Sequence, residues 1–234
     1  MSTKPLPTQP LPTQDLAHIL THARPSFLTL QNARIFITGG TGFFGHWLLE
    51  SLLYANRELS LNARATVLTR NAAAFRAKSP HIANHPAITL LEGDILTFPF
   101  PAEPHTHILH AATDSTGQQS SRTPEDLYND ILAGTRRVLD FSHQSHISHL
   151  TSHISKPETS RPPRLLYTST GAVYGRSTTL LHTPETYLNT HTPALPPHSY
   201  EAAKRAAELL ILDRTTAGPL EPQLDFPTEA VIAR

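Results

Sequence analysis

The sequence predicts an α/β protein built on a doubly wound parallel sheet, with helices on both faces. Three observations lead there. Six short runs rich in apolar and β-branched residues recur along the chain. Segments with apolar residues at helical spacing fall between several of those runs. The first run ends in a glycine cluster that opens directly into a helical pattern, which marks a strand-turn-helix junction. Six strands suffice for one domain, expected over residues 15–234.

Residues 1–14 alternate Pro, Thr, Gln and Leu, a composition that cannot bury enough surface to order itself, so a disordered tail is expected. A short helix is expected from Asp15 to His22, with Leu16, Ile19 and Leu20 as a partial apolar stripe. The run from Ala33 to Thr38 is β-branched and aromatic, as a buried parallel strand should be. Beyond the glycines, Phe44, Leu48, Leu52 and Ala55 recur at helical spacing. Further strands are predicted at Thr66–Leu68, Ile88–Leu91, His107–Leu109, Leu165–Thr168 and Ala230–Ala233. Helices are predicted from Asp126 to Ser142, where Leu127, Ile131, Gly134 and Val138 face one way, and from Tyr200 to Asp213.

Residues 143–163, rich in His, Ser and Pro, and residues 176–199, rich in Thr, His and Pro, read as irregular surface excursions. His143, His146, His149 and His153 invite a metal reading. Phe141, Ile147, Leu150 and Ile154 interleave with them, however, which suggests an amphipathic helix whose solvated face is histidine. With no thiolate or paired acid nearby, no metal site is expected.

Composition removes several function classes. Nineteen basic and nineteen acidic side chains give a formal charge of zero, no electrostatic reason to expect nucleic acid or an anionic membrane as partner. The absence of cysteine removes disulfides, thiolate metal sites and cysteine nucleophiles. No apolar stretch reaches the roughly 18–20 residues of a membrane helix, and the N-terminus carries no export h-region. A soluble cytoplasmic protein is the expectation.

In the cluster Thr38-Gly39-Gly40-Thr41-Gly42-Phe43-Phe44-Gly45, three glycines recur as G-x-x-G-x-x-G. Such glycines permit a tight turn, let a diphosphate approach the backbone, and let helix and strand pack closely. The helix N-terminus then points its N–H groups at the anion. A ribose-binding acid is expected about 20 residues on, at the end of the second strand. Thr69-Arg70-Asn71 stands there instead. Arg70 can pair with a 2′-phosphate, which favours NADP slightly over NAD.

Five motifs occur in order: TGGTGFFG from Thr38, GD at Gly93-Asp94, HAAT from His110, STGAVYG from Ser169 and YEAAK from Tyr200. Together they resemble the extended short-chain dehydrogenase/reductases, the NAD-dependent epimerase/dehydratase group acting on nucleotide sugars. The resemblance runs from about Arg34 to the C-terminus. It implies a Rossmann fold, a nicotinamide dinucleotide, a nucleotide-sugar substrate and hydride transfer. It places Gly39, Gly42, Phe43, Phe44, Gly45 and Arg70 at the cofactor, Asp94 at its adenine, and Ala111 and Ala112 beside its ribose. It makes Thr170, Tyr200 and Lys204 the catalytic trio, Tyr200 and Lys204 also touching the cofactor.

Tyr200 and Lys204 are four residues apart and share a helix face. A phenol of pKa near 10 needs about 4 kcal/mol to titrate near pH 7. An ammonium about 4 Å away supplies roughly that at an effective dielectric near 20. The spacing therefore suits a tyrosinate general acid/base.

Two departures narrow the reading. Family dehydratases carry an Asp-Glu pair after the Ser/Thr, where this chain has Gly171-Ala172, so an epimerase or 4-keto reductase type is favoured. Family members also continue past the sixth strand into a domain that closes over the sugar, whereas this sequence stops at Arg234. The substrate domain is thus expected to be largely missing, and a catalytically impaired dinucleotide-binding module is the second reading. An uncovered sheet edge would favour self-association, with a homodimer as the simplest form.

Overall fold

The computed structural model describes residues 8–112, 123–152, 162–175, 182–185, 187, 199–215 and 229–234. Its strands are β1 (Arg34–Thr38), β2 (Arg64–Thr69), β3 (Ile88–Glu92), β4 (His107–His110), β5 (Arg164–Thr168) and β6 (Glu229–Ala233). They lie in the order β3-β2-β1-β4-β5-β6, every neighbouring pair parallel. This is the doubly wound order of dinucleotide-binding folds, with its switch point between β1 and β4. The helices are α1 (Thr13–Leu28), α2 (Phe43–Leu59), α3 (Ala72–Lys78), α4 (Pro80–Ala83), α5 (Pro124–Ser152) and α6 (Ser199–Thr215).

The period-2 alternation of β1 divides the core in two. Ile35 and Ile37 point to one face, where they meet Leu49, Leu52 and Ala55 of α2 and Phe75 of α3. Phe36 points to the other, against Phe98, Val138 and Phe141. Its ring, wholly buried, lies 5.3 Å from that of Phe98 and 4.6 Å from that of Phe141, within aromatic pairing range. Burial on both faces is why β1 reads as a continuous apolar run.

The structure corrects three expectations. Residues 8–14 of the expected tail are ordered: the Thr8 N–H donates to the Lys78 carbonyl at 2.6 Å, the Leu11 N–H donates to Glu50 at 2.8 Å, and α1 starts at Thr13. Tertiary hydrogen bonds, invisible to composition, hold this segment; residues 1–7 lie outside the described residues. Helix α1 also runs on to Leu28, beyond the expected end at His22. Helix α5 continues to Ser152, through the start of the stretch read as irregular.

On α5 the faces are also not as expected. His146 is buried and His143 half-buried, while Ile147 is 45% exposed. The small Ser142 and Ser145 are buried beside His146, so packing rather than side-chain polarity selects the inward face. The His149 side chain, His153 and most of 176–199 lie outside the described residues. Among those described, no group of three or more His, Asp or Glu could hold a metal ion, and no helix is long and apolar enough to cross a membrane.

Beneath the switch point lies a closed chain of hydrogen bonds around buried His110. Thr135 on α5 donates to the Ile131 carbonyl at 2.7 Å, so its oxygen is left to accept from His110 Nε2 at 3.3 Å. The neutral ring then accepts at Nδ1 from the Thr38 hydroxyl at 2.8 Å, and Thr38 Oγ1 in turn accepts the Ala112 N–H at 3.1 Å. Burial, and after it the Lys204 charge, pushes the His110 pKa down to about 3.

An unfolded histidine titrates near 6.5, so His110 contributes its stability fully above that pH and loses it as pH falls from 6.5 towards 3. At about 1.36 kcal/mol per pH unit, chemical denaturation at pH 7 and pH 4.5 should differ by roughly 2–3 kcal/mol from this group. His110→Gln should remove that part of the difference. His107, whose pKa burial also lowers, continues to act in both proteins. Equal pH dependence in the two proteins would contradict a neutral buried ring.

Candidate dinucleotide and catalytic site

The glycine loop sits at the carboxyl end of β1, and its three glycines are there for different reasons. Gly39 has φ +74°, and a Cβ on it would come within 2.5 Å of the Ala111 carbonyl oxygen and 2.7 Å of the Ala112 nitrogen. A Cβ on Gly45 would collide with the Gly40 carbonyl. These two are demanded by the chain's own packing. Gly42 is not. It caps α2 with φ −83°, which any residue adopts, and a Cβ there would meet only the Gly39 carbonyl oxygen, at 3.4 Å.

The bare surface at Gly42 therefore faces open space in front of the first turn of α2, which has no side-chain cap. The opening, the free N–H groups and the positive end of the helix suit a diphosphate. Phe43 and Phe44 flank it, each 74% exposed, edge to face at 5.5 Å.

The other expected cofactor residues lie on the same edge. Arg70 follows β2 and is exposed. The register sets Thr69 against Glu92, and the Glu92 carboxylate accepts the Ala72 N–H at 3.3 Å. An acid thus does stand beside the end of β2, supplied by β3; scanning β2 alone misses it. Asp94 follows β3, half-buried, and its Oδ1 accepts the Leu96 N–H at 2.9 Å. Ala111 and Ala112 follow β4 and pack under Gly39, the Ala111 N–H donating to the Thr38 carbonyl at 3.2 Å.

Thr170, Tyr200 and Lys204 come together where α6 meets the end of β5. Thr170 opens a 3-10 turn at Gly171–Tyr174, and its hydroxyl accepts the Ala172 N–H at 3.3 Å. Its hydroxyl stands near enough to the Tyr200 phenol to favour the ionised form of that group. Lys204 is only 2% exposed; its Nζ donates to the Thr168 carbonyl at 2.8 Å and lies 4.6 Å from the centre of the Tyr167 ring.

The electrostatics differ from the sequence estimate. Burial holds the Tyr200 phenol above its ordinary value; the nearby Thr170 hydroxyl opposes that push and the Glu201 carboxylate adds to it. Lys204 Nζ is 6.0 Å from the centre of the Tyr200 ring and donates to the Thr168 carbonyl. Burial pushes the Lys204 ammonium itself down to about 8, with Glu208 resisting.

Sequence reasoning missed the supports of this site. Thr38 and His110 were seen only as parts of motifs. Glu208 is 4% exposed beside the trio and accepts the Ser169 hydroxyl and the Arg234 guanidinium. Its spacing from Tyr200 and Lys204, at i+8 and i+4, was the available signal.

Comparisons with known proteins bear on this geometry. No curated protein matches the chain. Among solved structures, an epimerase from Methanothermobacter thermautotrophicus is similar at 18% identity and a TM-score of 0.64, over 92% of this chain and 55% of that one. A dTDP-glucose 4,6-dehydratase from Streptomyces venezuelae, solved with NAD and TYD bound, is similar at 21% identity and a TM-score of 0.60, over 85% and 54%. A UDP-glucuronic acid 4-epimerase from Bacillus cereus, in complex with NAD, gives 17% and 0.59, over 85% and 55%. The chain spans about half the length of these structures. At such identities the likeness establishes the fold. The model of the NAD dependent epimerase/dehydratase family matches residues 35–221, from the first strand through the helix of Tyr200 and Lys204. The glycine loop, strands β2 to β5 and helix α6 all fall inside that match, and the chain belongs to this family.

Proposed function

We propose that this chain binds a nicotinamide dinucleotide along the carboxyl edge of its sheet and acts on nucleotide sugars as an epimerase or 4-keto reductase. One observation carries the reading: Thr170 and the Tyr200 phenol, with Lys204 donating to the adjacent Thr168 carbonyl, stand on the same sheet edge as the open glycine loop. The similarity to NAD-bound epimerases and dehydratases supports it. Gly39, Gly42, Phe43, Phe44 and Gly45 would hold the diphosphate, Asp94 the adenine end, and Ala111 and Ala112 the ribose. When bound, the nicotinamide supplies the hydride acceptor and a positive charge.

The chain's own residues supply the proton chemistry. The Tyr200 phenol, protonated at neutral pH in this arrangement, holds the proton that a sugar oxygen would share, and the Thr170 hydroxyl beside it favours its release. Lys204 anchors the Thr168 carbonyl and keeps a titratable charge under the site. No acid follows Thr170; a side chain at Gly171 would meet nothing within 4 Å, so there is room for one but Gly171-Ala172 provides none. This favours epimerase or reductase chemistry over dehydration.

Gly42→Val should weaken dinucleotide binding more than tenfold in calorimetry, about 1.4 kcal/mol, because its side chain fills the open face of the loop. Equal affinity in both proteins would sink the binding reading. Arg70 should favour the phosphorylated cofactor, so the wild type should bind NADPH more tightly than NADH and Arg70→Ala should lose that difference. A wild-type preference for NADH would show that Glu92, not Arg70, governs this end. Tyr200→Phe should cut turnover of UDP-, dTDP-, GDP- or CDP-sugars by roughly 10²–10⁴-fold while leaving dinucleotide affinity intact. Dinucleotide binding without any tyrosine-dependent turnover would favour a binding module instead.

A further inference from the structure

Helix α6 contacts three consecutive residues at the end of β5 with three side chains of one stripe. Tyr200 meets Thr170, Lys204 Nζ donates to the carbonyl of Thr168, and Glu208 accepts from the hydroxyl of Ser169 between them. The spacing of four and four puts the helix residues on successive turns of one face. The proton chemistry described above uses only the first two.

A carboxylate that is 4% exposed is costly to bury unless every charge and lone pair finds a partner. Glu208 has its partners. Arg234 lays a fork on it, Nη2 on Oε2 at 2.8 Å and Nε shared between both oxygens at 3.1 Å. Arg234 also reaches Tyr174 Oη at 3.3 Å, and the Ser169 N–H donates to the Ala233 carbonyl at 2.6 Å. The corner after β5, the end of β6 and helix α6 therefore converge on one carboxylate.

We propose that Glu208 is a positioning residue: it fixes Ser169 between Thr168 and Thr170, and supplies the negative charge that faces the buried Lys204 ammonium. The inference rests on the reading of Thr170, Tyr200 and Lys204 as the reacting trio. Charged and titratable groups surround Lys204 from four elements. Tyr200 and Glu208 come from α6, Tyr167 from β5, the neutral His110 from β4, and Arg234 lies behind Glu208 at the end of β6. Burial depresses Lys204 to about 8, and Glu208 alone among its charged neighbours pulls the other way.

The test is a titration of the full chain labelled with ¹³C at the lysine Cε, without dinucleotide or sugar. The sequence holds four lysines, so Lys204→Arg assigns the one signal of interest. Glu208→Gln, which keeps the shape and an acceptor for Ser169, should lower the Lys204 midpoint by about one pH unit or more. Arg234→Met should raise it, because the carboxylate is then no longer shared with a guanidinium. Ser169→Ala should leave the midpoint within a few tenths of a unit. An unchanged midpoint in Glu208→Gln, shifts of the same sign in the first two variants, or a drop in Ser169→Ala as large as that of Glu208→Gln would overturn the proposal. Should Glu208→Gln fail to fold, Arg234→Met decides alone: a rise supports the role, and an unchanged or lower midpoint overturns it. The readout needs neither cofactor nor turnover. An inactive chain with the expected shifts would refute only the proposed function, and an active chain without them only the role of Glu208.

Discussion

The approach of Gly39 to the backbone of Ala111 and Ala112 is the constraint on which this half of the molecule depends. It sets β1 and β4 close enough for a switch point, and a single methyl group at residue 39 would occupy the space of a carbonyl oxygen. Such an approach has to be held, since two loops leaving neighbouring strands in opposite directions have little else to fix their separation. Thr38 holds it by accepting the Ala112 N–H, and His110 holds Thr38. The ring is anchored on α5 through Thr135, so a loop on one face of the sheet is tied to a helix on the other. That connection needs a neutral imidazole with one donor and one acceptor; a carboxamide offers both functions but a different reach, and an apolar residue offers neither.

The second corner follows the same logic with charges. A lysine and a glutamate one turn apart on α6 are both nearly dry, a costly arrangement unless each is matched from outside the helix. The match comes from the backbone of β5 for the lysine and from Arg234 for the glutamate. Geometry at Tyr200 and Thr170 is therefore inherited from the packing of α6 on β5, not set by the short sequence separation of tyrosine and lysine.

All six strands were legible in the sequence because each is a dense β-branched or apolar run, and the edges moved by only one or two residues; β1 to β5 each bury residues, whereas β6 leaves Glu229, Val231 and Ala233 exposed. The glycine loop was legible for a related reason: Gly39 and Gly45 answer local steric demands that no other residue meets. What stayed hidden depends on partners far along the chain. Pro10 and Pro12 suggested disorder, yet Glu50 and the Lys78 carbonyl supply acceptors that composition does not record. His146 was given to solvent by its polarity and is buried by its neighbours. The lysine–tyrosine estimate assumed a separation that helix spacing permits but does not impose, because the Thr168 carbonyl competes for the ammonium. Glu92 was overlooked since strand register, not sequence distance, brings it beside Thr69.

The two faces of the sheet also differ in how far apart their residues lie along the chain. The buried cluster around Ile35 and Ile37 draws its members from Ala33 to Ile88, with α1 docking immediately upstream. The cluster around Phe36 needs residues up to Ile211. Closing short loops costs less chain entropy than closing long ones. During synthesis the glycine-loop face can thus assemble once about the first hundred residues have emerged. The face that carries Tyr200, Lys204 and Glu208 waits for α6, and it condenses onto a template already formed.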